Sequence, residues 1–196
     1  MAVHGKNRKH SVLIVEDHSI VRMGLSMLIS QLDDMSVCGE MESGDAALEF
    51  LKSGRPDMII ADISLKDMSG IDLIKYIRRT DHKVPILVLS VFDEEFYAER
   101  AFAAGATGYI MKQEASEVLV RAIRTVLAGE IYASDAIRNR LVKRAIGRSD
   151  EGGAESLSSL TDRELQVFEL IGRGCETKQI AQTLRLSVKT VDTYRE

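Results

Sequence analysis

Five short apolar runs, each followed by a stretch of helical spacing, organise the first 129 residues of this chain. The runs lie at 11–15, 35–41, 58–61, 85–89 and 108–111. Each is too short for a helix, and several are rich in Ile and Val, so they read as buried strands. Between them apolar residues recur at helical spacing: Val21, Leu25, Leu28 and Leu32; Ala47, Leu48 and Leu51; Leu73, Ile74 and Ile77. A helix is expected over 92–104 with Gly105 as its C-cap, and a last one carries Val118, Leu119, Ala122, Ile123, Val126 and Leu127 before Gly129. Strict alternation of strand and helix implies a parallel sheet, because parallel strands need crossovers and helices supply them. Right-handed crossovers leave few topologies. The flavodoxin-like five-stranded order 2-1-3-4-5 is the expected one.

In such a sheet ligands bind at the carboxyl ends of the strands. Strand one runs into Glu16-Asp17, strand three into Asp62, strand four into Ser90 and strand five into Lys112. In the order 2-1-3-4-5 these four strands are consecutive neighbours. Three carboxylates, a hydroxyl and an ammonium would therefore share one pocket. Acids in close range repel unless a cation neutralises them. An all-oxygen cluster of this kind suits a hard cation that keeps several waters, which is Mg2+. Neutralised in this way, Asp62 could act as a carboxylate nucleophile toward a phosphoryl donor. Mg2+, Lys112 and Ser90 or a nearby backbone N–H could then each take one of the transferred oxygens. Each residue also admits a bland reading: Glu16-Asp17 as a helix N-cap pair, Ser90 as a cap, Lys112 as a surface lysine. Their convergence at four neighbouring tips favours the phosphoacceptor reading.

The motifs Val-Glu-Asp-His at strand one, Ala-Asp-Ile-Ser with Gly70 further on, Leu-Ser at Ser90 and Gly-Tyr-Ile-Met-Lys at Lys112 resemble the receiver domain of two-component response regulators. The resemblance covers residues 11–129. It implies that a sensor histidine kinase phosphorylates Asp62, with Mg2+ bound by Asp17, Asp62 and the backbone carbonyl of Ser64. Glu16 would assist through water, and Ser90 and Lys112 would contact the phosphoryl group. It also implies a switch in which Ser90 moves toward that group and Tyr109 fills the vacated space; packing of Tyr109 against a helix is the alternative. The sequence departs from the pattern at Lys66, where receivers commonly carry Pro, and at Gln113, where they often carry Pro or an acid. Neither change removes a group the chemistry needs.

Beyond Gly129 the pattern changes. Residues 134–146 combine Ile137, Leu141 and Val142 with Arg138, Arg140, Lys143 and Arg144, a basic amphipathic linker helix whose charges read as a solvated face. Residues 147–159 are rich in Gly and Ser, a flexible tether. A domain boundary is expected there, giving a linker over 130–159 and a second domain over 160–196. That domain opens on a capping box, Thr161 and Glu164. Helical patterns follow, then Gly172 and Gly174, a second helix with Ile180, Ala181 and Leu184, a turn at Arg185-Leu186-Ser187 and a third helix from Val188. Two short helices joined by a tight turn make a helix-turn-helix.

Leu-Thr-Asp-Arg-Glu-Leu-Gln-Val, Gly-Arg-Gly, Lys-Gln-Ile-Ala and Leu-Ser-Val-Lys-Thr-Val-Asp-Thr-Tyr resemble the LuxR-type helix-turn-helix, and receiver plus this module resembles the NarL/FixJ class. The resemblance implies a DNA-binding transcriptional regulator. Lys178, Lys189 and Thr190 would touch phosphates, and Asp192, Thr193 and Arg195 would face the groove, with Tyr194 in place of the more frequent His. Family members continue the recognition helix past the point reached at Glu196 and add another helix, so the module reads as truncated at its C-terminal end. Its acidic and basic residues balance, and the whole chain carries a net charge of -4. Any attraction to DNA must therefore be local. A signalling protein acting through protein contacts, with a non-binding tail, is the competing reading. A hydrolase with an Asp nucleophile needs a second acid at position 64, which is Ser, so no enzyme is expected.

The N-terminal residues 1–10 read as a disordered polar tail without a signal-peptide core. Two widely separated cysteines and no apolar run of about 18 residues point to a cytoplasmic protein without a membrane span. The long tether lets the two domains dock or separate. A closed arrangement is expected before phosphorylation, with the receiver masking the groove-facing residues. Activation is expected to free the module and to produce a homodimer, through helix one or the surface from helix four to helix five.

Overall fold

The structure, a computed structural model, describes residues 8–80, 83–146 and 160–195. Five strands, β1 (His10–Val15), β2 (Met35–Met41), β3 (Met58–Asp62), β4 (Ile86–Ser90) and β5 (Gly108–Met111), form one sheet in the order β2-β1-β3-β4-β5. All four pairings are parallel. Helices α1 (Ser19–Ser30), α2 (Gly44–Leu51), α3 (Gly70–Arg79), α4 (Glu94–Ala104) and α5 (Ser116–Leu127) alternate with the strands. The expected topology is the one observed.

Strand alternation divides the core. Val12, Ile14, Met58, Ile60, Leu87 and Leu89 pack with Leu25 and Ile29 of α1 and Leu119, Ile123 and Val126 of α5. Leu13, Val15, Ile59, Ala61 and Val88 point the other way, toward α2, α3 and α4. Both faces are covered, so β3 and β4 are buried at every position, as a parallel sheet requires. Side-chain caps start the helices where the sequence offers them: Ser43, Ser69 and Asp93 accept from backbone N–H groups of α2, α3 and α4. Gly105 ends α4 at φ 106°.

The segment after Gly129 is more than a connector. Tyr132 forms a parallel bridge with Gly108. The N–H of Tyr109 donates to Tyr132 O at 3.0 Å, and the N–H of Tyr132 donates to Thr107 O at 3.1 Å. This covers the open edge of β5, which would otherwise present unpaired backbone groups. A helix α6 (Asp135–Ala145) follows. It buries Ile137, and its Arg140 pairs with Glu95 and Glu99 of α4. The linker helix is thus packed on the receiver, and its basic face is only partly solvated. The expected tether at 147–159 and most of the expected N-terminal tail lie outside the described residues; His10 already belongs to β1.

The C-terminal module consists of α7 (Asp162–Gly172), α8 (Thr177–Leu184) and α9 (Val188–Thr193). The capping box at Thr161 and Glu164 forms as expected. Its small core of Leu165, Val167, Leu170, Ile180, Ala181, Leu184 and Val191 is continuous with the α2–α4 side of the receiver core.

The loop after β3 closes tightly at Gly70. The N–H of Gly70 donates to Ile63 O at 2.7 Å. A Cβ at residue 70 would lie 2.1 Å from the backbone O of Asp62. Gly70→Ala is expected to cost about 2–3 kcal/mol in urea unfolding, because the clash is with backbone. Gly24 gives the contrast: it is exposed in α1, and a Cβ there would meet no atom within 4 Å. Gly24→Ala should stabilise by about 1 kcal/mol.

Candidate functional site

The acids expected at the strand tips do converge. Glu16, Asp17 and Asp62 are buried. The Lys112 ammonium lies 2.7 Å from Glu16 Oε2 and 2.9 Å from Asp62 Oδ2. The β5 turn that carries it is fixed by the N–H of Lys112, which donates to Ser90 O at 2.7 Å. His18 joins the cluster: its Nδ1 lies 3.0 Å from Glu16 Oε1 and 2.8 Å from Asp17 Oδ1. Its N–H also donates to Glu16 Oε1 at 3.0 Å. Ligand atoms of Glu16, Asp17, His18 and Asp62 all fall within 4.8 Å of one another.

The charges do not cancel. Burial raises the pKa of Glu16, and the nearby Asp62 charge raises it further, against the opposing pull of Lys112. Burial alone would lower Lys112, but the charges on Asp62 and Glu16 outweigh it and hold the ammonium above its usual range. Three carboxylates against one ammonium leave a deficit of positive charge. Asp62 Oδ1 is buried with no hydrogen-bond partner, and Asp17 Oδ1 and Glu16 Oε2 lack one as well, having only ion-pair contacts. Buried acceptors without donors are rare. Buried carboxylate oxygens from several acids, one of them on Asp62 unpartnered, are the donor set a hard divalent cation takes. The residues therefore fit Mg2+, with Glu16, Asp17 and Asp62 as the acidic pocket. Ser64, also buried, lies two residues past Asp62 at the start of the tight loop.

Ser90 and Tyr109 both bond to the backbone of Phe92. Ser90 Oγ accepts from the Phe92 N–H at 3.0 Å. Tyr109 is buried, with its hydroxyl donating to Phe92 O at 2.9 Å, and burial pushes its phenol pKa upward. The Phe92 carbonyl gives the phenol an interior partner, which a buried Tyr needs.

Residues 12–124 match the family described as "Response regulator receiver domain". This chain is a two-component response regulator. Residues 158–196 match "Bacterial regulatory proteins, luxR family", which places the regulator in the NarL/FixJ class. The regulator is 34% identical over 189 residues to the oxygen regulatory protein NreC of Staphylococcus epidermidis, covering 94% of this chain and 87% of that one. A LuxR-family response regulator of Aurantimonas sp. SI85-9A1 superposes with a TM-score of 0.65 at 30% identity, over 70% of this chain and 99% of that one. RcsB of Salmonella enterica serovar Typhimurium, solved bound to the promoter rprA with the phosphomimetic BeF3-, superposes with a TM-score of 0.63 at 27% identity, over 96% of this chain and 89% of that one.

The regulator's helix-turn-helix exposes Lys178, Lys189, Asp192, Thr193 and Arg195. Ser187 caps α9, accepting from the Thr190 N–H at 3.0 Å. Thr190 and Tyr194 are half-buried, and Tyr194 packs on the core cluster. The module is docked on the receiver, as a closed arrangement requires. Docking does not cover the exposed residues of the recognition helix, contrary to the expectation that the receiver would mask them. The contact is made by α7 and by the α8–α9 turn instead. The Arg163 guanidinium donates to the carbonyls of Leu65 and, at 3.1 Å, Met68 in the loop after Asp62. Asp162 pairs with Arg100 at 3.1 Å and Lys75 at 3.4 Å. Arg185 reaches Asp17.

Sequence reasoning missed His18, Arg163 and Arg185. Arg163 and Arg185 are single basic residues in ordinary local patterns, and only the docked geometry gives them partners. His18, adjacent to Glu16-Asp17 in the Val-Glu-Asp-His run, was the one with a readable signal.

Lys112 carries the charge balance. Lys112→Met should cost about 3–5 kcal/mol near neutral pH, because the acids are left buried without their ammonium. Glu16 already has a raised pKa, so its folded form takes up protons before its unfolded form does. The variant should therefore recover stability as pH falls from neutral and Glu16 takes up its proton. Urea unfolding as a function of pH checks the sign.

Proposed function

We propose that Asp62 accepts a phosphoryl group from a sensor histidine kinase and that this event controls DNA binding by the helix-turn-helix. The observation that carries the reading is the Lys112 ammonium 2.9 Å from Asp62 Oδ2, while Asp62 Oδ1 is buried and unpartnered. An Asp62 oxygen would form a bond to phosphorus as the donor's nitrogen–phosphorus bond breaks, and the departing imidazole would take up a proton. Asp17, Asp62 and the Ser64 carbonyl would hold Mg2+, with Glu16 acting through water; the ion would supply charge neutralisation of the acids and of the transferred group. Lys112 would ion-pair with one phosphoryl oxygen. Ser90 would exchange the Phe92 N–H for another, which perturbs the Phe92 segment on which the Tyr109 hydroxyl rests.

That segment leads to α4, and α4 holds the docked module through Arg100 and the Asp93 N–H, which donates to Glu169 Oε1 at 3.5 Å. The loop after Asp62 holds it through Arg163. Phosphorylation therefore acts on both anchor points, and we read the docked form as the resting one. Released modules would bind DNA through phosphate contacts from Lys178, Lys189 and Thr190, with Asp192, Thr193 and Arg195 toward the groove and Tyr194 beside them. A neutral module gains from binding as a pair on adjacent half-sites. Since α4 is occupied by α6 and the docked module, α1 is the better dimer face: Ile20, Met23 and Met27 form one exposed apolar stripe on it. No helix among the described residues is long and apolar enough to cross a membrane, and Cys38 and Cys175 are both free thiols. Both facts support a cytoplasmic site of action.

Asp62→Asn should abolish labelling by a small phosphodonor or a partner kinase while leaving the fold intact by circular dichroism; undiminished labelling of that variant would move the acceptor elsewhere. Lys189→Ala should weaken binding to all DNA sequences about equally and reduce the slope of affinity against salt by about 1. Small-angle scattering of the full chain should show a larger radius of gyration and a doubled mass with a phosphoryl mimic. An unchanged radius and mass would sink release and dimerisation without touching the acceptor.

A further inference from the structure

Arg185 occupies the turn between α8 and α9 at φ 52° and ψ 39°. Among the described residues it is the one non-glycine residue with positive φ. Glycine meets that conformation without the Cβ conflict that arginine carries. The turn gains nothing from arginine as a backbone, so the contribution of this position lies in its side chain. The side chain crosses the domain boundary. Its Nη1 donates to Asp17 O at 3.3 Å, and its Nε lies 3.4 Å from Asp17 Oδ2.

The target is specific within the acid pocket. Lys112 ion-pairs with Glu16 and Asp62. Asp17 is served instead by His18 and by Arg185. The guanidinium thus supplies positive charge to the carboxylate that the resident lysine leaves out. The chain has two ways to meet the pocket's deficit of positive charge: a divalent cation from solution, or an arginine delivered by the DNA-binding module.

We propose that Arg185 is a counter-cation carried by the helix-turn-helix, and that its seat on Asp17 competes with Mg2+. Domain docking and metal binding then oppose each other. The coupling is reciprocal: Mg2+ loosens the docked module, and undocking tightens Mg2+. The inference rests on the reading of Glu16, Asp17 and Asp62 as the Mg2+ pocket. It goes beyond that reading by making the metal itself, before any phosphoryl transfer, a signal that the second domain feels.

The test is calorimetric titration of the full chain with Mg2+ alone, comparing the wild type with Arg185→Gly and Arg185→Ala, each checked for helix content by circular dichroism. Arg185→Gly suits the left-handed turn, so it removes the guanidinium without straining the module. Both variants should bind Mg2+ about fivefold tighter than the wild type, at the low end of ordinary coupling between sites. In small-angle scattering, Mg2+ alone should enlarge the wild-type radius of gyration and leave that of Arg185→Gly nearly unchanged. Equal Mg2+ affinity in all three proteins overturns the proposal even where the radius differs, because Arg185 would then be a docking contact only. Mg2+ uptake by none of the three overturns the pocket reading, and the proposal with it.

Discussion

Three buried carboxylates face a single ammonium, and holding that group together governs both domains of this regulator. Glu16 and Asp62 could not share the interior without Lys112, since both would otherwise be uncompensated charges there. The fold brings Lys112 to them: β5 neighbours β4, and the turn after β5 is tied back to Ser90 O. Even so the lysine meets only part of the charge. The remaining deficit of positive charge makes the pocket receptive to a cation.

The second domain docks beside this pocket. Its basic residues approach the pocket's rim and the loop behind it: Arg185 at Asp17, and Arg163 on the carbonyls of Leu65 and Met68. Asp162 returns the charge in the other direction, toward Arg100 and Lys75. The two domains are held by charge-assisted contacts near Asp17 and the loop after Asp62, not by a dry apolar face alone. Tyr97 Oη, Gln166 Nε2 and Glu169 Oε2 are buried near this contact without hydrogen-bond partners.

Much of the receiver was legible because its pattern is local and repetitive. Strands buried on both faces read as continuous apolar runs, and their alternation with amphipathic helices admits few topologies. Once the order 2-1-3-4-5 was expected, the pocket followed from which residues end consecutive strands. The capping box at Thr161 and the Gly105 terminus were legible for the same reason, since a cap is decided by residues three or four positions apart. Less legible were features that depend on what lies opposite. Tyr132 reads as part of a linker until Gly108 offers it a sheet edge. Tyr109 reads either as a switch or as a packed aromatic, and only the fold shows that its hydroxyl is partnered by the Phe92 carbonyl in the interior.

Periodicity and spacing belong to the chain alone, and they sufficed for the two modules, the strand order, and the acids, hydroxyl and lysine at the strand tips. How those charges are shared, and which residues join them from afar, emerged only when the domains packed together. Arg185 lies 168 positions from Asp17, and nothing in its neighbours marks it out except a turn that glycine would fill more easily. Long-range ion pairs leave no periodic trace, since either partner would look the same on an ordinary solvated surface; only the packing of one domain against the other brings the opposite charges within reach.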